Sequence, residues 1–155
     1  AKRRLLDAIT QYCLDMGYFR SSVWTFSSEP NASYSSMTRD TFLGFGCSAT
    51  SLFKGQFKIN TFDVASYCER ISSGNLATAL TIRFTKRQRM IYWLFWTAYS
   101  TRVNAKAFET FFGVPLKKMY GIELWLAKQF GLLKEQNGTY EMTLKGAFYY
   151  HYYEN

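Results

Sequence analysis

Gly44, Gly46, Ser48 and Ala49 stand in the run Leu43-Gly44-Phe45-Gly46-Cys47-Ser48-Ala49-Thr50, where the main chain is nearly stripped of side-chain bulk. Two glycines two apart remove the Cβ atoms that would keep a ligand or a neighbouring strand off the backbone, and they permit positive φ at little cost. Main-chain N–H groups left exposed in such a turn can bind a carboxylate or a phosphate. Gly-x-Gly after a strand is also used as a purely structural tight turn, and both uses stay open at this point. A second cluster is cationic: Arg83, Lys86, Arg87 and Arg89. The last three fall in the first turns of a helix predicted after Thr85, where the helix dipole disfavours positive charge. That placement reads either as a solvated helix end or as an invitation to an anionic partner.

Cys13, Cys47 and Cys68 lie 34 and 21 residues apart, which fits neither a disulfide framework nor a short-spaced metal motif. Buried thiols are the expectation. His151, the only histidine, sits in the aromatic tail 148–153 and reads as packing, with axial ligation of a haem as the alternative. The net charge of +8 is spread evenly, with seven basic and four acidic residues in 1–60 and twelve and seven in 61–155. No single basic face stands out. With 48% apolar and 19% aromatic residues the chain has ample material for a core, so disorder is excluded. It has no run long enough to span a bilayer and no secretory pattern, and the expected location is cytoplasmic. It opens on Ala1 rather than Met, as a piece of a longer protein would.

The elements that must position these residues follow from periodicity. Leu5, Ile9, Tyr12 and Met16 recur at helical spacing and Gly17 closes the run. Tyr18 to Phe26 and Thr41 to Gly46 are strand candidates, and a helix-strand-loop-strand order suits the end of an α/β barrel. Ser51 to Asn60 reads as an extended or hairpin connection around Lys54-Gly55, with a domain boundary near 60. Helices are predicted over Phe62 to Ser72, over Thr85 to Ser100 with Thr85 as N-cap, over Ala105 to Phe112 after Asn104, and over Leu116 to Phe130 between Pro115 and Gly131. Asn137-Gly138 marks a tight hairpin turn, and Thr143 caps a last helix through His151. The helix-helix-helix-hairpin-helix order is winged-helix grammar. The expected class is therefore α+β, an α/β barrel remnant in 1–60 followed by a mostly helical winged-helix-like domain in 61–155.

A basic winged helix ordinarily points to nucleic acid. Here the helix that would read bases carries Met119, Tyr120, Leu124, Trp125 and Leu126, no Arg, and Gln129 alone of the amides. A recognition helix offers Arg, Asn or Gln to base edges, so this one reads as packing and nucleic acid becomes the rival reading.

The order of a helix ending at Gly17-Tyr18, the segment Phe19 to Ser27, a loop containing Tyr34, the Gly-x-Gly-x-Ser-Ala turn, Asn60, Tyr67 and Gly74 resembles the oxygen-independent coproporphyrinogen III oxidase family of radical S-adenosylmethionine enzymes, in the half that follows their iron–sulfur motif. The likeness runs from about Leu5 to the C-terminus. It implies that Phe26, Ser27, Gly44, Gly46, Ser48, Ala49 and Thr50 border a cosubstrate pocket, Thr50 standing where relatives often carry Ile or His. It implies a porphyrinogen-like tetracarboxylate substrate, which Arg83, Arg87 and Arg89 would hold. It also implies S-adenosylmethionine and a [4Fe–4S] cluster in the parent protein. The Cys-x3-Cys-x2-Cys ligands are absent from this chain, which would have its own N-terminal half as partner and no catalytic residue of its own. Haem-handling relatives share the scaffold, and a non-enzymatic winged-helix module that binds nucleic acid or protein is the competing class.

Overall fold

The computed structural model describes residues 2–30, 32 and 40–154, the side chains of 2 and 151–154 excepted. Tyr34 and the His151 side chain, both singled out above, lie outside the described residues. The architecture is α+β, with helices and three small sheets whose named strand pairs are all antiparallel. Parallel pairing, which a barrel end requires, is absent among the described residues, and no barrel closes there.

The chain divides into two compact units, residues 1–35 with 95–155, and residues 36–94. Strands paired with each other lie on either side of residue 60, where a boundary was expected: β4 (Gln56–Asn60) bonds along β5 (Thr78–Arg83).

The 36–94 unit begins with a bridge between Phe42 and Leu52 and continues through β3 (Thr50–Phe53), β4, α2 (Val64–Ser72), β5 and the start of α3 (Lys86–Tyr99). Its sheet runs β3-β4-β5. The hairpin turn between β3 and β4 puts Lys54 and Gly55 at positive φ, as the Lys54-Gly55 dipeptide predicted. One face of this sheet carries Phe57, packed in an aromatic group with Phe84 and Tyr92. Leu52, Met90 and Trp93 are buried, each such side chain being worth roughly 1.5–3 kcal/mol against exposure. Helix α2 starts on Asp63, whose carboxylate accepts the Ser66 N–H at 2.7 Å and is held below the usual carboxylate range by its hydrogen bonds with Ser66. Thr85 and Gln88 form a reciprocal cap on α3, the Thr85 N–H donating to Gln88 Oε1 and the Gln88 N–H to Thr85 Oγ1.

The other unit holds α1 (Lys2–Asp15), the two-residue strands β1 (Phe19–Arg20) and β2 (Phe26–Ser27), the end of α3, β6 (Arg102–Asn104), α4 (Ala105–Phe112), α5 (Leu116–Gln129), β7 (Leu133–Gln136), β8 (Thr139–Met142) and α6 (Leu144–Glu154). Its sheet runs β6-β8-β7, the hairpin β7–β8 forming a small wing, and Asn104 caps α4 by accepting the Ala107 N–H at 2.9 Å. Asn137 and Gly138 turn the wing at φ 49° and 75°. Phe108, Leu116, Tyr140 and Ala147 form the core, and Gly146 is required because a Cβ there would collide with the Leu132 carbonyl. Inside α5, Tyr120 leaves helical geometry at φ −135°.

Two expectations fail here. The strand candidate Tyr18 to Phe26 is interrupted because Ser22 Oγ accepts the N–H groups of Trp24 and Thr25, a local turn that competes with strand pairing. The α5 surface is not packing either: Ile122 is 74% and Trp125 56% exposed, while Leu116 and Tyr120 are its buried residues.

Candidate functional site

The Gly-x-Gly turn is built by contacts that the sequence pattern does not show. Gly44 is glycine because its Cβ position is filled by the Thr50 carbonyl oxygen, so the main chain folds back on itself. Thr41 to Gly46 therefore does not form a strand beyond the Phe42 bridge. Gly46 has φ 106°, with nothing within 4 Å of where a Cβ would project, and Ser48 is left-handed at φ 55°.

The N–H groups expected to await an anion are already used. Gly44 donates to Ser51 Oγ at 3.0 Å, Gly46 to the Tyr67 hydroxyl at 3.0 Å, and Ser48 to the Thr61 carbonyl at 2.9 Å. The Gly46 carbonyl accepts from Asn60 Nδ2 at 3.0 Å, so the two peptide groups flanking this residue are held, one from β4 and one from α2. Buried or half-buried backbone groups seek partners, and this turn finds them within its own unit.

Beside the turn opens a cleft of about 430 Å³, bordered by Leu43 to Phe45, the β3–β4 hairpin, α2 and residues 76–78. The register fixes which side chains enter it. Ser51 pairs with Lys58 and Phe53 with Gln56, so Ser51, Phe53, Gln56, Lys58 and Asn60 share one face of the sheet, opposite Phe57. Arg83 pairs with Gln56 and thereby joins that face. Lys54 stands with Nζ 5.3 Å from the Phe53 ring centroid. Among the described residues no acidic side chain lines the cleft.

The remaining candidate residues fall as follows. Phe26 and Ser27 form β2 in the other unit, and Ser27 Oγ accepts the Glu29 N–H at 3.1 Å. Ala49 accepts the Asn60 N–H, and Thr50 opens β3. Arg83 and Arg87 are exposed. Arg89 is half-buried: it donates to the Asp40 carbonyl at 3.2 Å and lies over the Tyr92 ring, and burial pushes its pKa down. Arg89 thus holds its own unit together. The cysteines are free, Cys13 and Cys47 half-buried and Cys68 exposed, against the expectation of three buried thiols. Among the described residues no group of three His, Cys, Asp or Glu side chains could hold a metal, so an iron–sulfur cluster does not fit on them. No helix among them is long and apolar enough to cross a membrane. Sequence reasoning missed Lys54, Lys58 and Tyr67 as site residues. The signal for the lysines was β4 alternation, Gln56, Lys58 and Asn60 against Phe57 and Ile59.

No protein-family model matches the sequence, and no curated protein does. A solved structure does: coproporphyrinogen III oxidase (HemN) from Escherichia coli, described as a radical SAM enzyme, superposes with a TM-score of 0.59 at 14% identity. The match covers 94% of this chain and 38% of that one, so the chain spans well under half the length of the enzyme whose fold it shares.

Proposed function

We propose that this chain is the C-terminal, pocket-forming portion of a cytoplasmic coproporphyrinogen III oxidase-like enzyme. The observation that supports this reading is the fold shared with that enzyme over nearly the whole chain, together with the residue order through the Gly-x-Gly-x-Ser-Ala turn. A cluster-bearing segment outside this chain would be required, and no chemical step is assigned to the residues present. S-adenosylmethionine, bound in such an enzyme, would supply the radical chemistry that removes hydrogen from a propionate, with one electron supplied by the cluster and one passed from the substrate to an external acceptor as carbon dioxide leaves and a vinyl group forms. The contribution of this chain is shape. The open face at Gly46 would admit the cosubstrate to contact distance, with Ser48, Ala49 and Thr50 completing the wall. Arg83 and Arg87 would pair with propionates, and Arg89 would brace the helix that carries Arg87.

The test is a titration of the chain with coproporphyrin III, read by tryptophan quenching, beside a titration with random duplex DNA. Saturable quenching weakened by Arg83→Gln and Arg87→Gln supports the reading. Duplex binding that falls steeply with salt, without a porphyrin response, supports the rival nucleic-acid module. One observation favours a protein-binding rival over a nucleic-acid one: the exposed face of α5 presents Ile122, Trp125 and Leu126.

A further inference from the structure

The cleft of the 36–94 unit has a composition that the porphyrinogen reading does not use. Its walls are apolar on two sides, through Phe53 on the sheet and Ile71 on α2, with Leu76 between. Its charged groups are Lys54 and Lys58, and among the described residues no carboxylate pairs with either. Every ion pair of those residues that involves lysine lies on Glu135, in the other unit. Two neutral polar groups of the lining can donate as well. The Tyr67 hydroxyl accepts the Gly46 N–H and so keeps its own proton to give, and Asn60 Nδ2 spends one N–H on the Gly46 carbonyl and keeps the other. Phe45, at the mouth, is 86% exposed, a large aromatic surface left in water.

We propose that this cleft binds a small planar apolar molecule carrying one carboxylate, its rings between Phe53 and Ile71 and its anionic oxygens toward Lys54 and Lys58. Two cations and neutral donors facing an acid-free space recognise an anion. The apolar walls set the rest of the ligand. A volume of about 430 Å³ has room for roughly fourteen waters at about 30 Å³ each, which suits one or two fused rings. Because Tyr67 and Asn60 both line the cleft and both hold Gly46, a ligand that fills the space beside them also steadies the turn. The site stands on its lining alone and does not need the chain to belong to a porphyrinogen enzyme.

The experiment is isothermal titration of the full chain with 2-naphthoate, with neutral 2-naphthylmethanol and with cationic 2-naphthylmethylammonium. Saturable binding of the carboxylate, about tenfold or more tighter than either analogue, is the expected result. Lys54→Gln and Lys58→Gln should each weaken it about five- to tenfold, near 1 to 1.4 kcal/mol. The exposed Lys118→Gln should leave it unchanged. The double variant Lys54→Glu with Lys58→Glu should reverse the ranking in favour of the ammonium, which a protein that had merely lost its fold could not do. Equal affinity for all three probes, no saturable heat, or indifference to both single variants overturns the proposal. Naphthoate binding beside silence toward coproporphyrin would count against the earlier reading and leave this one standing.

Discussion

The two three-stranded sheets of this protein use lysine in opposite ways. At the wing, Lys117 and Lys128 reach from α5 to Glu135 on β7 at 2.8 and 2.6 Å, and their hydrogen bonds hold its carboxyl down to about 2. On the β3-β4-β5 sheet, Lys54 and Lys58 face a cleft that no acid lines among the described residues. The first arrangement completes itself. The second leaves charge and apolar surface facing the same space, which is how a surface waits for something that is not part of it. Charge count alone could not separate them, since both regions contribute to the same net +8.

The sharpest way to break this comparison is at the glycines that each unit cannot replace. Gly44→Ala should cost about 3 kcal/mol, because the Thr50 carbonyl that blocks the new methyl is backbone and cannot swing away. Gly146→Ala, against the Leu132 carbonyl, should cost a similar amount in the wing. Denaturant midpoints measure both, and an unchanged midpoint for Gly44→Ala would mean that the turn is not folded back as described. Next in size is Tyr67→Phe, which strands the Gly46 N–H and should cost about 1 kcal/mol while leaving the wing untouched.

Acid should act most on the β6-β8-β7 sheet, through Glu135, with a lesser loss at the Asp63 cap of α2. Glu135 has a folded pKa of about 2, below its ordinary 4.5, so its contribution is complete above about pH 4.5 and is lost as pH falls toward 2. Glu135→Gln should flatten that part of the stability profile, seen as a smaller drop in urea midpoint between pH 5 and pH 2 (roughly the window that linkage sets). The smallest effect belongs to Lys58→Gln, whose change in unfolding free energy should stay within about 0.5 kcal/mol. A larger loss would show that this lysine is structural, and the contrast between the sheets would fade.

The wing unit was legible where local chemistry decides. Asn104 as a cap, Pro115 and Gly131 around α5, and Asn137-Gly138 as a turn all carry their geometry in their own side chains or backbone freedom. The unit with the cleft was not. Strand β5 went unseen: its residues are half-exposed or exposed along its length, and only pairing with β4 makes it a strand. Gly44 and Gly46 were recognised as special for one shared reason and prove special for two, a close backbone crossing at one and a positive φ beside open space at the other. The partners that quiet their N–H groups, Ser51 and Tyr67, sit 7 and 21 residues further along the chain. No local pattern announces such distant partners. α5 was mistaken in the other direction, because an apolar stripe identifies what can be buried and not what is.

The grip on Gly46 has a practical consequence. An amide proton shielded by a single phenol exchanges with solvent only as often as that phenol lets go, so deuterium uptake at this one position works as a gauge of how firmly helix α2 is seated. Anything that fills the neighbouring space would slow the gauge without touching the glycine itself.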